Sequence, residues 1–161
     1  MSTEFVRDRE GRRLRVATDG DGPRTDERAA LERMYEAYDT ADRAQGLPPT
    51  ESTALSSWLD RVLTGANVLA WHGDRVVGHA ALYPVEADRH ELVIFVDGDF
   101  QGAGVGSELL AVLLSAHRER GGGTVLLSVE PTNEAAVALY RKFGFEVGTA
   151  TALDIEMERD V

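Results

Sequence analysis

Apolar positions along the chain change period several times, and each change marks an element. Residues 14–17 predict a first strand after a turn at Arg9-Glu10-Gly11, and Asp19-Gly20-Asp21-Gly22-Pro23 predicts a loop. Thr25 is suited to cap a helix running to about Tyr38, with Leu31, Met34, Tyr35 and Tyr38 at helical spacing. Gln45-Gly46-Leu47-Pro48-Pro49 breaks the chain, and Thr50 or Ser52 opens a second helix carrying Leu55, Trp58, Leu59, Val62 and Leu63 on one face. Residues 68–71 and 75–84, joined by His72-Gly73-Asp74, predict a hairpin. Residues 90–96 are nearly all apolar after Glu91, the pattern of a central strand buried on both faces. A helix follows over residues 105–120, with Leu109, Leu110, Val112, Leu113 and Ala116, and stops at Gly121-Gly122-Gly123. Residues 125–129 predict another strand. Asn133 caps a helix to Phe143, Gly144 ends it, and residues 145–157 supply the last one or two strands. No repeat, low-complexity segment or linker interrupts this order, so the expectation is one domain over residues 1–161.

Composition narrows the chemistry. A chain of 161 residues with 43% hydrophobic and 28% charged residues can bury its own core. There is no cysteine, which excludes disulfides, thiolate metal sites and a cysteine acyl-enzyme. No apolar run approaches a membrane span, and Met1-Ser2-Thr3-Glu4 lacks the basic-then-apolar start of a signal peptide. The expected location is therefore the cytoplasm. The net charge of −11, with Lys142 the single lysine, argues against nucleic acid or an acidic membrane surface as partner. The same charge resembles proteins adapted to high salt, and a high-GC genome gives the same lysine shortage. None of the four histidines has a metal-ligand partner at useful spacing, so no metal is expected.

The most informative segment is the turn Gln101-Gly102-Ala103-Gly104-Val105-Gly106-Ser107, which joins the central strand to a helix. Such a junction points several backbone N–H groups and the positive end of a helix dipole at one spot, and glycines let an anion approach closely. The fitting ligand is a phosphate or diphosphate, held by backbone groups because no basic side chain lies between Gln101 and Glu108. A tight turn with no ligand satisfies the same spacing. No Gly-Lys-Ser/Thr follows, and the spacing Gln-x-x-Gly-x-Gly is not the dinucleotide fingerprint.

This spacing resembles the diphosphate-binding motif of the GCN5-related N-acetyltransferases (GNAT). Val96 and Gln101 stand where that family has valine and, five residues later, glutamine or arginine. Leu127-Ser128-Val129, Asn133, Ala136, Leu139-Tyr140 and Gly144-Phe145 resemble its second motif, so residues 68–157 follow the family order. The segment around Glu91 is similar to that of acetyltransferases that modify lysines of acyl-CoA synthetases. Ribosomal-protein N-terminal acetylases carry a glutamate where this chain has Ser128, and Gly98 stands where proline is common.

The resemblance implies an α/β fold: a mixed, mostly antiparallel sheet of six to seven strands flanked by about four helices. It implies acetyl-CoA as co-substrate and direct acetyl transfer to an amine, either a protein lysine or a small molecule. A homodimer is compatible with it. The central strand would splay from its neighbour, and backbone groups of Ile94, Phe95 and Val96 would meet the pantetheine arm. An N–H near Val96 would hold the thioester oxygen as it becomes an oxyanion. Gln101, Gly102, Ala103, Gly104, Val105, Gly106 and Ser107 would wrap the diphosphate. Asn133 would lie near the pantetheine arm, or cap its helix. Tyr140 would be the general acid for the leaving thiolate, or a core aromatic beside Leu139 and Phe143.

The base is the harder assignment. Proton transfer from an ammonium to an ordinary carboxylate is uphill by about 8 kcal/mol. Burial of the carboxylate, or a water relay, lowers that cost. Glu91 is the candidate, on the face shared by Val93 and Phe95; the other reading pairs it with Arg89 or His90. Two rival functions share the glycine turn: a non-catalytic acyl-CoA sensor and a generic nucleotide-binding domain.

Overall fold

A computed structural model describes residues 2–18, 25–38 and 47–161. The expected loop over residues 19–23 and the Gln45-Gly46 break lie outside these residues. The described strands form one sheet in the order β1-β2-β3-β4-β5-β6-β8-β7. They are β1 (Ser2–Arg7), β2 (Arg13–Thr18), β3 (Ala66–His72), β4 (Arg75–Glu86), β5 (Arg89–Val96), β6 (Thr124–Val129), β7 (Glu146–Ala150) and β8 (Ile155–Asp160). The four α-helices among the described residues are α1 (Thr25–Glu36), α2 (Ser52–Val62), α3 (Val105–Glu119) and α4 (Glu134–Lys142). All neighbouring strands pair antiparallel except β5 with β6.

Alternation along β5 divides the core. Leu92, Ile94 and Val96 face one cluster with Val105, Leu109, Leu110 and Leu113 of α3. Val93 and Phe95 face a second cluster with Leu31, Met34 and Tyr35 of α1 and Leu55, Trp58 and Leu59 of α2. Period-2 strands and period-3.6 helices thus meet on both faces of the sheet. The second cluster is rich in rings: Trp58 and Phe95 lie 5.9 Å apart, and Tyr35 and Phe95 5.7 Å, all near edge-to-face.

Three details differ from the sequence expectation. The sheet has eight strands, because β1 pairs along β2 as an edge ribbon. Its Phe5 is 57% exposed, so β1 leaves little buried-face pattern to read. Helix α2 opens at Ser52, one of the two expected starts, but its capping side chain is Glu51, accepting from the N–H groups of Thr53 (3.0 Å) and Ala54 (2.9 Å). Helix α1 ends at Glu36, two residues short of Tyr38, whose ring still packs on Phe95 at 5.6 Å.

Candidate active site

The two edges of β5 are unlike. Asp97 N–H donates to Val77 O at 2.8 Å, and the register with β4 continues to Arg89. Backbone polarity alternates along an antiparallel strand, so the odd-numbered residues of β5 bond to β4. The N–H and C=O groups of Leu92, Ile94 and Val96 point the other way, toward β6. There the parallel pairing covers only Arg89, His90 and Glu91, opposite Thr124, Val125 and Leu126. Beyond Glu91 the strands part, and a wedge opens between Ile94–Val96 and the end of β6.

The glycine turn stands at the wide end of the wedge. Gly102 and Gly104 have φ +70° and +89°, backbone that side chains disfavour. Nothing lies within 4 Å of where a Cβ on Gly102 would sit, so that surface is open. The first hydrogen bond of α3 runs from Glu108 N–H to Gly104 O. The amides of Gly104, Val105, Gly106 and Ser107 are therefore the four that a helix start leaves without an intrahelical acceptor. These groups and the dipole make a fitting seat for a diphosphate.

The remaining expected residues fall into distinct positions. Gln101 Nε2 donates to Val96 O at 3.0 Å, tying the turn to the end of β5. Ala103 and Val105 are buried, so only their backbones reach the cradle. A Cβ on Gly106 would sit 3.5 Å from Leu139 of α4. Phe95 turns its ring to the α1–α2 side and its backbone to β4, away from the wedge. Asn133 is the cap of α4, its side chain accepting from Ala136 N–H at 3.2 Å. Asp97 caps Asp99 N–H (3.0 Å) and pairs with Arg75 (3.5 Å).

Tyr140 and Glu91 lie on opposite faces of the sheet. Tyr140 packs against the α3 cluster, 5.9 Å from the Phe145 ring, and burial pushes its phenol up to about 12. Glu91 pairs across β4 with Tyr83, not with Arg89 or His90. Arg89 is engaged instead with Glu86 and Glu158. The Tyr83 phenol, on the residue opposite Glu91, is pushed up to about 12, by burial first and then by the Glu91 charge, against the pull of Arg61. Glu91 also opens on a cavity of about 380 Å³ lined by Ser128, Thr149, Glu156 and Glu158. Ser128 holds the β7–β8 loop there by donating to the Asp154 carboxylate at 2.8 Å.

Sequence reasoning missed Tyr83, whose only signal was its place in an apolar strand. It also missed a buried chain behind the aromatic cluster. Asn67 Nδ2 donates to the carbonyls of Val62 (3.3 Å) and Gly65 (3.1 Å), which turns its Oδ1 to His79 Nε2 (2.7 Å). The proton of His79 therefore sits on Nε2, and Tyr35 donates to Nδ1 at 2.5 Å. Burial lowers His79 to about 3, so the ring is neutral and fully bonded. No group of metal-ligand side chains occurs among the described residues. No helix there is long and apolar enough to cross a membrane.

Comparison with known proteins bears on this geometry. The model of the acetyltransferase (GNAT) family matches residues 31–145. The [ribosomal protein bS18]-alanine N-acetyltransferase of Escherichia coli K12 is 33% identical over 113 residues, covering 70% of this chain and 74% of that protein. Mycothiol acetyltransferase of Geodermatophilus obscurus is 35% identical over 145 residues, 84% of this chain. The chain spans 45% of that relative's length. Among solved structures, the GNAT domain of S. lividans PAT superposes with a TM-score of 0.80 at 20% identity, over 99% of this chain and 97% of that one. The acetyl-CoA complex of Salmonella typhimurium yncA superposes with a TM-score of 0.70 at 18% identity, over 90% and 93%.

Proposed function

Given that the chain belongs to the GNAT family of acetyltransferases, which use acetyl-CoA, we propose that it passes the acetyl group directly to a cationic amine that enters from the α1–α2 side of the sheet. The observation that carries this reading is the interrupted pairing of β5 with β6, with the unpaired amides of α3 at its wide end. The pantetheine arm lies along Ile94 and Val96 as a false strand, and the diphosphate rests on the turn from Gln101 to Ser107.

The bound ammonium first loses a proton on the Glu91 side; the neutral nitrogen then attacks the thioester carbon, and the carbonyl oxygen becomes an oxyanion held by a β5 amide near Val96. The C–S bond breaks, the sulfur leaves as thiolate, and the second nitrogen proton is released on the same side. The Glu91 carboxylate, opposite Tyr83 in the sheet, has lone pairs for an ammonium or a relaying water. Glu91, Glu156 and Glu158 line one cavity and outnumber its arginine, Arg89, which pairs with Glu158; this supports a cationic acceptor, a protein amine or a small polyamine.

Tyr140 is the donor to the leaving sulfur. A phenol near 12 stays protonated, yet giving its proton to a thiolate of ordinary basicity is uphill by about 5 kcal/mol. A thiolate formed in the same partly buried site would lose solvation as the phenol does, which raises its basicity and narrows that gap. The test is acetyl-CoA consumption with lysine peptides, peptides with an N-terminal alanine, polyamines and amino acids. Turnover with at least one class is expected. Tight CoA binding without turnover on any of them would support the acyl-CoA sensor instead.

A further inference from the structure

The sequence left the diphosphate turn without basic side chains, but the fold brings them from elsewhere. A hollow of about 270 Å³ lies beside the cradle. The β1–β2 hairpin walls it with Arg7 and Arg9, the start of α3 with Gly104 and Ser107, and the end of α4 with Lys142. The hairpin is pinned there: Arg9 N–H donates to Ala103 O at 2.9 Å, and Arg12 reaches Asp99 O at 2.9 Å while lying 4.0 Å over the Phe100 ring. The Arg9 side chain lies over Gly104, its Nε 3.6 Å from where a Cβ on that glycine would sit.

The charge balance at this hollow differs from that of the whole chain, whose net charge is −11 with a single lysine. That lysine and two arginines converge on one helix start. Asp8 also lines the hollow, but its carboxylate is bound by Arg12 at 2.7 Å. Glu108 is the opposing charge, set against three cations. Arg7 donates one N–H to Gly11 O at 2.7 Å and keeps others to offer.

We propose that Arg9, with Arg7 and Lys142, forms a phosphomonoester subsite for the 3′-phosphate of CoA, so that the protein distinguishes CoA from 3′-dephospho-CoA. The proposal rests on the transferase reading for its ligand. The chemistry suits it, because the 3′-phosphate lies one ribose from the diphosphate and carries close to two negative charges. Fixed cations from a hairpin and a second helix supply what the turn lacks. The side chains are solvent-facing, so the gain is modest and salt-dependent.

The experiment compares kcat/KM for acetyl-CoA and 3′-dephospho-acetyl-CoA, at low and high salt, in the wild type and in Arg9→Gln/Lys142→Gln. Calorimetry with CoA and dephospho-CoA gives the same ratio without turnover. The wild type is expected to prefer the phosphorylated form by about thirtyfold at low salt, from about threefold for each of the three cations. In the double variant, which retains Arg7, the ratio falls to about threefold, and Arg9→Lys keeps most of the wild-type ratio. A wild-type ratio near one, or a full ratio in the double variant, overturns the subsite. The two readings separate cleanly. A protein inert toward every amine yet showing the affinity ratio keeps the subsite and loses the transferase reading, and an active enzyme without the ratio does the reverse.

Discussion

Along its β4 edge, β5 is paired from Arg89 to Val96, whereas along its β6 edge the pairing ends at Glu91. The first edge is part of the sheet's structure. The second exposes backbone donors and acceptors that a folded protein would otherwise satisfy. Around that open edge the two faces of the sheet also differ. On the α3 side stand the glycine turn and the half-buried Tyr140, where the proposal puts the cofactor. On the α1–α2 side stand the Glu91 carboxylate, opposite Tyr83, and a cavity lined by three glutamates and Arg89, where the proposal puts a cationic acceptor. On the proposed reading, the contrast teaches that the thioester arm and diphosphate are met by backbone geometry and the acceptor by side chains.

Variants on the two faces break this contrast differently. The largest effect is expected from Tyr140→Phe on the cofactor face: kcat falls by about 10²–10³-fold while acetyl-CoA affinity stays within about threefold. Steady-state kinetics with a calorimetric Kd checks it, and an unchanged kcat with chemistry limiting removes the acid role. Glu91→Gln on the acceptor face should lower kcat/KM for the amine by about 10–100-fold and leave acetyl-CoA affinity unmoved. An equal loss in both substrates' parameters would mean that the carboxylate only holds the fold.

Acid tests the support behind the acceptor face. His79 titrates near 6.5 when unfolded and at about 3 when folded. The unfolded chain therefore binds the extra proton first as pH falls. Stability is fully present above pH 6.5 and is lost progressively from there down to about 3, by up to about tenfold in the folding equilibrium per pH unit. His117, lowered by burial, then by His90 and Arg120, acts in the same direction from the α3 face. Denaturant titrations across this range should show a shallower slope in His79→Gln; an identical slope would assign the acid loss elsewhere. The smallest effect belongs to Gly102→Ala. Its φ of +70° costs a side chain about 1 kcal/mol, and relief by shifting the turn should weaken acetyl-CoA about fivefold with amine KM intact.

Legibility in the sequence followed the same division. The turn from Gln101 to Ser107, the cap at Asn133 and the buried stripe of α3 were readable because spacing and glycine content dictate them locally. The pairing of Glu91 with Tyr83 depends on strand register, and Arg9 and Lys142 meet the cradle only through long-range folding. The open edge itself left no mark in side-chain periodicity. An apolar strand looks the same whether its backbone is bonded on one edge or two, so the splay came only from the family resemblance. Strand β1 was missed because its exposed positions carry no buried-face pattern.

The most direct measurement is an amide-resolved nuclear magnetic resonance titration with acetyl-CoA. Shifts and exchange protection are predicted at Ile94, Val96 and the amides from Gly102 to Ser107, with Val93 and Phe95 on the β4 edge little changed. Equal perturbation of odd and even residues of β5, or none at the start of α3, would contradict the claim that the unpaired edge receives the thioester arm.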